Sequence, residues 1–188
     1  MSRSTVVNIL RQNNFDPKFD PTKGSWGAFF KAHANTLWQC DFFQRHIVTA
    51  SGIRQIFTLA FLHVATRRVY LPPCTFKPDA AWLRGQAHDF LKYAKEQGLG
   101  AEIVLHDGDY KYIPEFGATL KQGGTKLQKV AFRSPNMNAY IERFFQTIQH
   151  ECLDKFIVFS QEHLDLLASE FLDYYHFERP HQGKGMCR

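Results

Sequence analysis

Apolar and polar positions change period several times along the chain, and each change marks an element. Residues 2 to 14 gather Val6, Val7, Ile9 and Leu10 on one side, with Ser2 or Ser4 placed as a cap, so a short helix is predicted there. Two prolines and a glycine between residues 15 and 25 predict a linker or irregular arm. Trp26 to Ala34 predicts another short helix. Leu37 to Val48, rich in aromatic and branched residues, reads as a strand, and Ser51-Gly52 as a turn. Ile53 to Val64 has a nearly continuous apolar centre, as in a strand covered on both faces. Thr66-Arg67 turns the chain into a third strand, Arg68 to Phe76, which predicts an antiparallel meander.

The second half has a helical period. Pro78 opens a helix that runs to about Gln97, where Gly98 and Gly100 stop it. Glu102 to Leu105 is a short apolar strand ending at His106-Asp107-Gly108-Asp109. Ile113 to Lys121 predicts a brief helix, and Thr125 to Val130 a fifth strand. Asn136 to about Leu153 predicts a strong helix, and Gln161 to Phe177 another. This order predicts an α/β fold, a mixed sheet flanked by helices.

Composition narrows the function classes. The 188 residues suit one compact domain with a short appendage. No apolar run approaches the roughly 20 residues that span a bilayer, and Met1-Ser2-Arg3-Ser4 lacks a secretory layout, so a cytosolic protein is expected. Cys40, Cys74, Cys152 and Cys187 lack zinc spacing and read as free thiols; no histidine pairs with Cys40 to make it a nucleophile. The net charge of +5 is modest, but residues 121 to 150 carry Lys121, Lys126, Lys129, Arg133 and Arg143 against one acid, Glu142. That local excess suggests a polyanionic partner; a solvated basic face is the bland alternative.

Three carboxylates stand out by position. Asp41 lies inside an apolar strand, where a charge must be paired, hydrated or metal-bound. Asp107 lies just past the end of the fourth strand, where α/β sheets build sites. Glu142 lies on the strong helix, beside an apolar stripe of Met137, Ile141, Phe144 and Ile148 and within a polar stripe of Asn138, Glu142, Gln146 and Gln149. It should project from the edge of the buried face, close enough to meet the two aspartates. Phosphodiester chemistry has a use for such a set, because two Mg²⁺ ions about 4 Å apart activate the nucleophile and stabilise the leaving oxygen. Hard carboxylate oxygens suit that ion. Each acid alone reads equally well as a surface salt-bridge partner.

The segment from Ser134 to Asp154 resembles the glutamate-bearing helix of insertion-sequence transposases, in the retroviral-integrase catalytic-core (Asp-Asp-Glu) superfamily. Trp38-Gln-Cys-Asp-Phe42 is similar to that family's first-aspartate strand, and Val104 to Tyr112 to its second-aspartate segment. The 35 positions from Asp107 to Glu142 fit the family interval, and Tyr174 to Gln182 resembles the motif that closes such cores. The resemblance covers about residues 26 to 183. It implies a ribonuclease-H-like five-stranded mixed sheet and metal-dependent DNA end cleavage and strand transfer. Asp41 would bridge two Mg²⁺ (or Mn²⁺) ions, Asp107 would ligate one and Glu142 the other. Many relatives have Asp-Asn-Gly at the second aspartate, whereas this chain has Asp107-Gly108-Asp109; spacing favours Asp107 as ligand, with Asp109 in support or in the turn.

Lys129, Arg133, Asn138 and Arg143 are the expected DNA contacts, positioning phosphates without reading sequence. Asn136 and Asn138 also suit a helix N-terminus. Arg179-Pro180-His181 and His106 read as structural, and Trp26, Trp38 and Trp82 as core. Residues 1–14 resemble the end of a helix-turn-helix module, so an N-terminally shortened product is expected, with 15–34 an arm, 35–183 the core and 184–188 a tail. One helix cannot bury its own apolar face, so this piece would not read DNA by itself. The resemblance further implies element ends and target DNA as partners, homo-oligomers, and a bacterial cytosolic or nucleoid location. Two other functions compete: a non-catalytic DNA-binding remnant that interferes with a full-length transposase, and a structure-specific nuclease of the same fold.

Overall fold

The computed structural model describes residues 26–108, 112–130 and 137–179. The expected helix over residues 2–14, the arm over 15–25 and the tail over 184–188 lie outside the described residues. The chain divides into a unit of residues 1–32 and a unit of residues 33–188. Helix α1 (Trp26–His33) represents the first unit, with the Phe29 and Phe30 rings edge to face at 6.2 Å.

The second unit is built on five strands: β1 (Leu37–Thr49), β2 (Gly52–His63), β3 (Val69–Tyr70), β4 (Ile103–His106) and β5 (Lys126–Lys129). They lie in the order β3-β2-β1-β4-β5. β1 and β2 pair antiparallel along their whole length, from Trp38↔His63 to Thr49↔Gly52. Gly52, at φ +107°, makes the turn between them, a conformation open to a residue without a Cβ. β3 pairs antiparallel with β2, while β4 and β5 run parallel to β1. The sheet is therefore mixed, as the pattern of elements predicts.

The third strand is much shorter than the expected Arg68 to Phe76. Pro72 and Pro73 have no N–H to donate and a fixed φ, so the ladder stops at Tyr70. Pairing resumes only as a single bridge, in which Phe57 and Thr75 exchange backbone hydrogen bonds at 2.8 Å.

Four helices cover the sheet. α2 (Ala80–Glu96) begins two residues after Pro78, because the Asp79 carboxylate caps it by accepting from the Trp82 N–H at 3.0 Å. α3 (Pro114–Gln122) starts on a proline, which gives up nothing at the first helical position. Leu83, Ala87 and Phe90 of α2 and Phe116 and Leu120 of α3 pack on Trp38, Cys40, Leu59, Phe61 and Val104. On the opposite face lie α4 (Ala139–Glu151) and α5 (Gln161–Asp173), whose Ile141, Phe144, Ile148, Leu164 and Phe171 pack on Ile47, Ile56, Ala60 and Leu62. Strand alternation divides β1 between the two cores: Trp38 and Cys40 point to one, Phe43 and Ile47 to the other. The expected helix to Leu153 ends at Glu151 and a 3₁₀ turn, Leu153–Lys155, follows. The last helix passes from α5 into a π-helical turn, Tyr174–Glu178. Trp38 is fully buried, Trp82 is half-buried, and the side chain of Trp26 lies outside the described residues.

Phe61 is the centre of the first core, stacked on Phe90 at 4.1 Å with rings 9° apart. Phe61→Ala should lower the unfolding free energy by about 3–5 kcal/mol, read from the urea midpoint. Phe177→Ala, at a ring that is 71% exposed, should change it by less than about 1 kcal/mol.

Candidate functional site

Register brings the two aspartates together. β1 and β4 are neighbouring parallel strands, and Gln39 pairs with Leu105. Asp41 lies two residues further along β1, and Asp107 two residues past Leu105, just beyond the end of β4, so the parallel pairing sets both aspartates toward the same end of the β1–β4 ladder. A step of two keeps the face, so Asp41 shares the side of the sheet that Gln39 and Phe43 use, the side covered by α4. Asp41 also accepts a hydrogen bond from the Phe42 N–H at 2.7 Å. Both carboxylates act on Cys40 and Tyr112, whose ionisation each disfavours.

The helix that carries Glu142 is fastened to the same strand. Gln39, fully buried on β1, donates from Nε2 to the Met137 carbonyl at 2.6 Å and accepts at Oε1 from the Ile141 N–H at 2.9 Å. Ile141 holds the third position of α4, where an N–H has no partner inside the helix. Asn138 stands at the cap position but makes no capping bond, so a side chain about a hundred residues earlier does the work. The two bonds tie the residue two before Asp41 to Met137 and to Ile141, the residue just before Glu142.

Glu142 itself is exposed on the first turn of α4. Among the described residues no group of three or more His, Cys, Asp or Glu side chains is gathered closely enough to hold a metal ion. Asp41 and Asp107 both act on Cys40 and Tyr112, and Glu142 is carried by the helix that covers the Asp41 side of the sheet. Asp109 lies outside the described residues.

Lys129 ends β5 directly beside the second aspartate, paired in register with His106. Gly108 has φ +84°, and a Cβ there would collide with the Lys129 side chain, so the lysine stem lies across the Asp107–Gly108 turn. The turn is closed by His106, whose Nδ1 accepts from the Gly108 N–H at 3.1 Å. His106 therefore has a structural role, as expected. Burial is the main cause that holds its pKa below the ordinary value; Asp107 opposes that effect and Lys129 adds to it. On the opposite side, the Tyr112 hydroxyl donates to Cys40 Sγ at 3.6 Å, and burial pushes both groups well up. The nearby carboxylates add to that shift in both groups.

The remaining expected contacts are mixed in character. Arg143 is exposed on α4, with no carboxylate partner among the described residues. Arg133 and Asn136 lie outside the described residues. Asn138, placed by its spacing in a polar stripe, is buried instead at 4% exposure, at the end of α4 that Gln39 holds against β1; neither of its amide atoms has a partner among the described residues. Arg179 is structural as expected, holding Glu151 through Nε and Nη2 at 2.9 and 2.7 Å; Pro180 and His181 lie outside the described residues. Gln39 was missed in the sequence. Its signal is a neutral polar residue two positions before Asp41, on the same face of an otherwise apolar strand.

Residues 124–187 match the family model described as the integrase core domain. No curated protein matches the sequence. Among solved structures, the chain is similar to the HTLV-2 integrase catalytic core domain in complex with magnesium, in a dimeric form (TM-score 0.58, 15% identity, 80% of this chain and 92% of that one). It is also similar to a chain in the simian T-cell lymphotropic virus intasome in complex with the PP2A regulatory subunit B56 gamma (TM-score 0.59, 12% identity, 79% of this chain). This chain spans about half, 51%, of the length of that one. At such identities the likeness shows the fold, the ribonuclease-H-like sheet of integrase catalytic cores.

Gln39→Ala should strand one buried N–H and one buried C=O and cost about 2–5 kcal/mol, read from denaturant unfolding. Alkylation by iodoacetamide at mildly alkaline pH, mapped by mass, should leave Cys40 and Cys74 unmodified in the native chain while the more accessible Cys152 reacts. Burial raises both protected thiols, and only a thiolate attacks.

Proposed function

We propose that this chain is a metal-dependent polynucleotidyl transferase of the integrase or transposase type, cleaving DNA ends and joining them to target DNA. The observation that carries the reading is the clamp of Gln39, which fastens the Glu142 helix to the Asp41 strand, with Asp107 just past the end of the neighbouring parallel strand. The integrase-core match over residues 124–187 includes that helix.

The donor set fits a hard divalent ion. Asp41 and Asp107 offer hard carboxylate oxygens, and burial disfavours the anionic forms of the nearby Cys40 thiol and Tyr112 phenol. Two Mg²⁺ or Mn²⁺ ions would be held by Asp41, Asp107 and Glu142, with Asp41 shared. When bound, such ions supply stabilisation of the charge that develops on a phosphodiester. The chain's own residues orient the strand. Lys129, lying over the Asp107–Gly108 turn, neutralises a phosphate there. Arg133 and Arg143 add contacts to the backbone, whereas the buried Asn138 amide is out of a strand's reach. The protein works on paired DNA ends as a homo-oligomer in the bacterial cytosol or nucleoid.

A second reading is a non-catalytic DNA-binding remnant. It is favoured by the finding that, among the described residues, no three His, Cys, Asp or Glu side chains are gathered as a metal site.

Titration of Mn²⁺ or Mg²⁺ against the thermal midpoint tests the first reading. A ligand that binds only the folded state at about 100 times its Kd should raise the midpoint by about 5–10 °C in a chain of this size. The rise is expected in the parent and lost in Asp41→Asn and Glu142→Gln. Equal rises in all three proteins would put the metal elsewhere and sink the assignment. Metal-dependent cleavage of matched terminal DNA separates the enzyme from the remnant.

A further inference from the structure

α4 and α5 leave a cavity between themselves and the sheet. It measures about 360 Å³, a volume within the range of small-molecule sites. Phe43 of β1, Phe144, Phe145 and Ile148 of α4, and Leu164 of α5 line it, and Pro72 and Pro73 add a wall beyond the end of β3. Asp165 of α5 is the one charged residue on this lining.

The aspartate is held in place. Its Oδ1 accepts from the Cys74 N–H at 2.7 Å, and Gln161, one turn earlier on α5, donates from Nε2 to the Cys74 carbonyl at 2.7 Å. These two bonds fasten the Pro72–Pro73–Cys74 segment to α5, so that wall is formed before any ligand arrives. No cation pairs with Asp165 among the described residues. A carboxylate accepts several hydrogen bonds, so it keeps capacity for another donor.

A second polar group lines the same cavity. Thr58 stands opposite Phe43 in the β1–β2 ladder and is 6% exposed. Its hydroxyl makes no hydrogen bond among the described residues. A buried hydroxyl without a partner is costly, and such a group in a native structure calls for something that reaches it.

We propose that this cavity binds a small organic ammonium compound. Its aromatic or aliphatic body lies among the phenylalanine rings between α4 and α5, and its charged nitrogen donates to Asp165. The single fixed carboxylate repels anions, and away from bulk water it attracts a cation more strongly than an exposed acid does. Phe43, Phe144 and Phe145 suit a flat ring, and the Thr58 hydroxyl serves a polar atom on the body. The inference is independent of the nucleic-acid reading, because none of these residues is a proposed metal ligand or DNA contact. The ligand rests on the wall made by the helix that carries Glu142.

Nuclear magnetic resonance titration of the full chain at neutral pH tests it, with no metal or DNA present. The probes are phenethylammonium, phenethyl alcohol and phenylacetate, which share a ring and differ in charge. A hydrogen bond to a charged group should make the ammonium bind at least about 10-fold more tightly than the alcohol, with a Kd of about 1 mM or below. Phenylacetate should be the weakest. Asp165→Asn keeps an acceptor for the Cys74 N–H, so it should fold, and it should reduce the ammonium to the affinity of the alcohol while leaving the alcohol unchanged. Glu170→Gln removes the same charge from an exposed position on the same helix and should change none of the three. Ala168→Leu, which fills the cavity, should weaken the ammonium and the alcohol alike. If the ammonium binds no more tightly than phenylacetate, or if Asp165→Asn and Glu170→Gln behave alike, the cavity is not an ammonium site and the proposal is wrong.

Discussion

Everything proposed for the carboxylates depends on one buried amide. Gln39 lies fully inside the protein and satisfies both ends of its polar group on a single helix N-terminus. A buried amide left unpaired costs more than a paired one contributes, so the arrangement is close to all-or-none. β1 and α4 must meet at this register or not at all. Because Asp41 follows Gln39 on the same face and Glu142 follows Ile141, a bond formed for packing reasons also fixes which acidic residues share a side of the sheet.

Much of the fold is legible from period alone. The long apolar centre of β2 and the stripe Met137, Ile141, Phe144 and Ile148 find the buried places expected of them. Where expectation and structure part, short-range chemistry overrides period. Pro72 and Pro73 cut β3 to two residues, and Asp79 moves the start of α2 past Pro78. Asn138 has the spacing of an exposed residue but is buried, because periodicity describes an isolated helix and not the strand onto which its first turn docks.

The candidate site is legible to a different degree. Asp41 and Asp107 stand out because charges are rare in and at the ends of apolar strands, yet what brings their segments side by side is the parallel pairing of β1 with β4, which no local pattern encodes. Lys129 draws notice as one of several cations, but its position over Gly108 comes from the β4–β5 register. Gln39 carries almost no signal in sequence. It is an ordinary polar residue in a strand, and its significance lies in bonds that only the folded chain possesses.

The two outer strands have a bearing on how copies of this chain could meet. On one side, the ladder ends after two residues at paired prolines, and the His176 ring occupies the Val69 N–H at 3.0 Å. On the other, β5 is four residues long and carries exposed Lys126 and Lys129. Short strands, proline and lysine are the features by which sheets resist adding foreign strands, and here both margins have them. Self-association by extending the sheet at these two margins is thereby disfavoured.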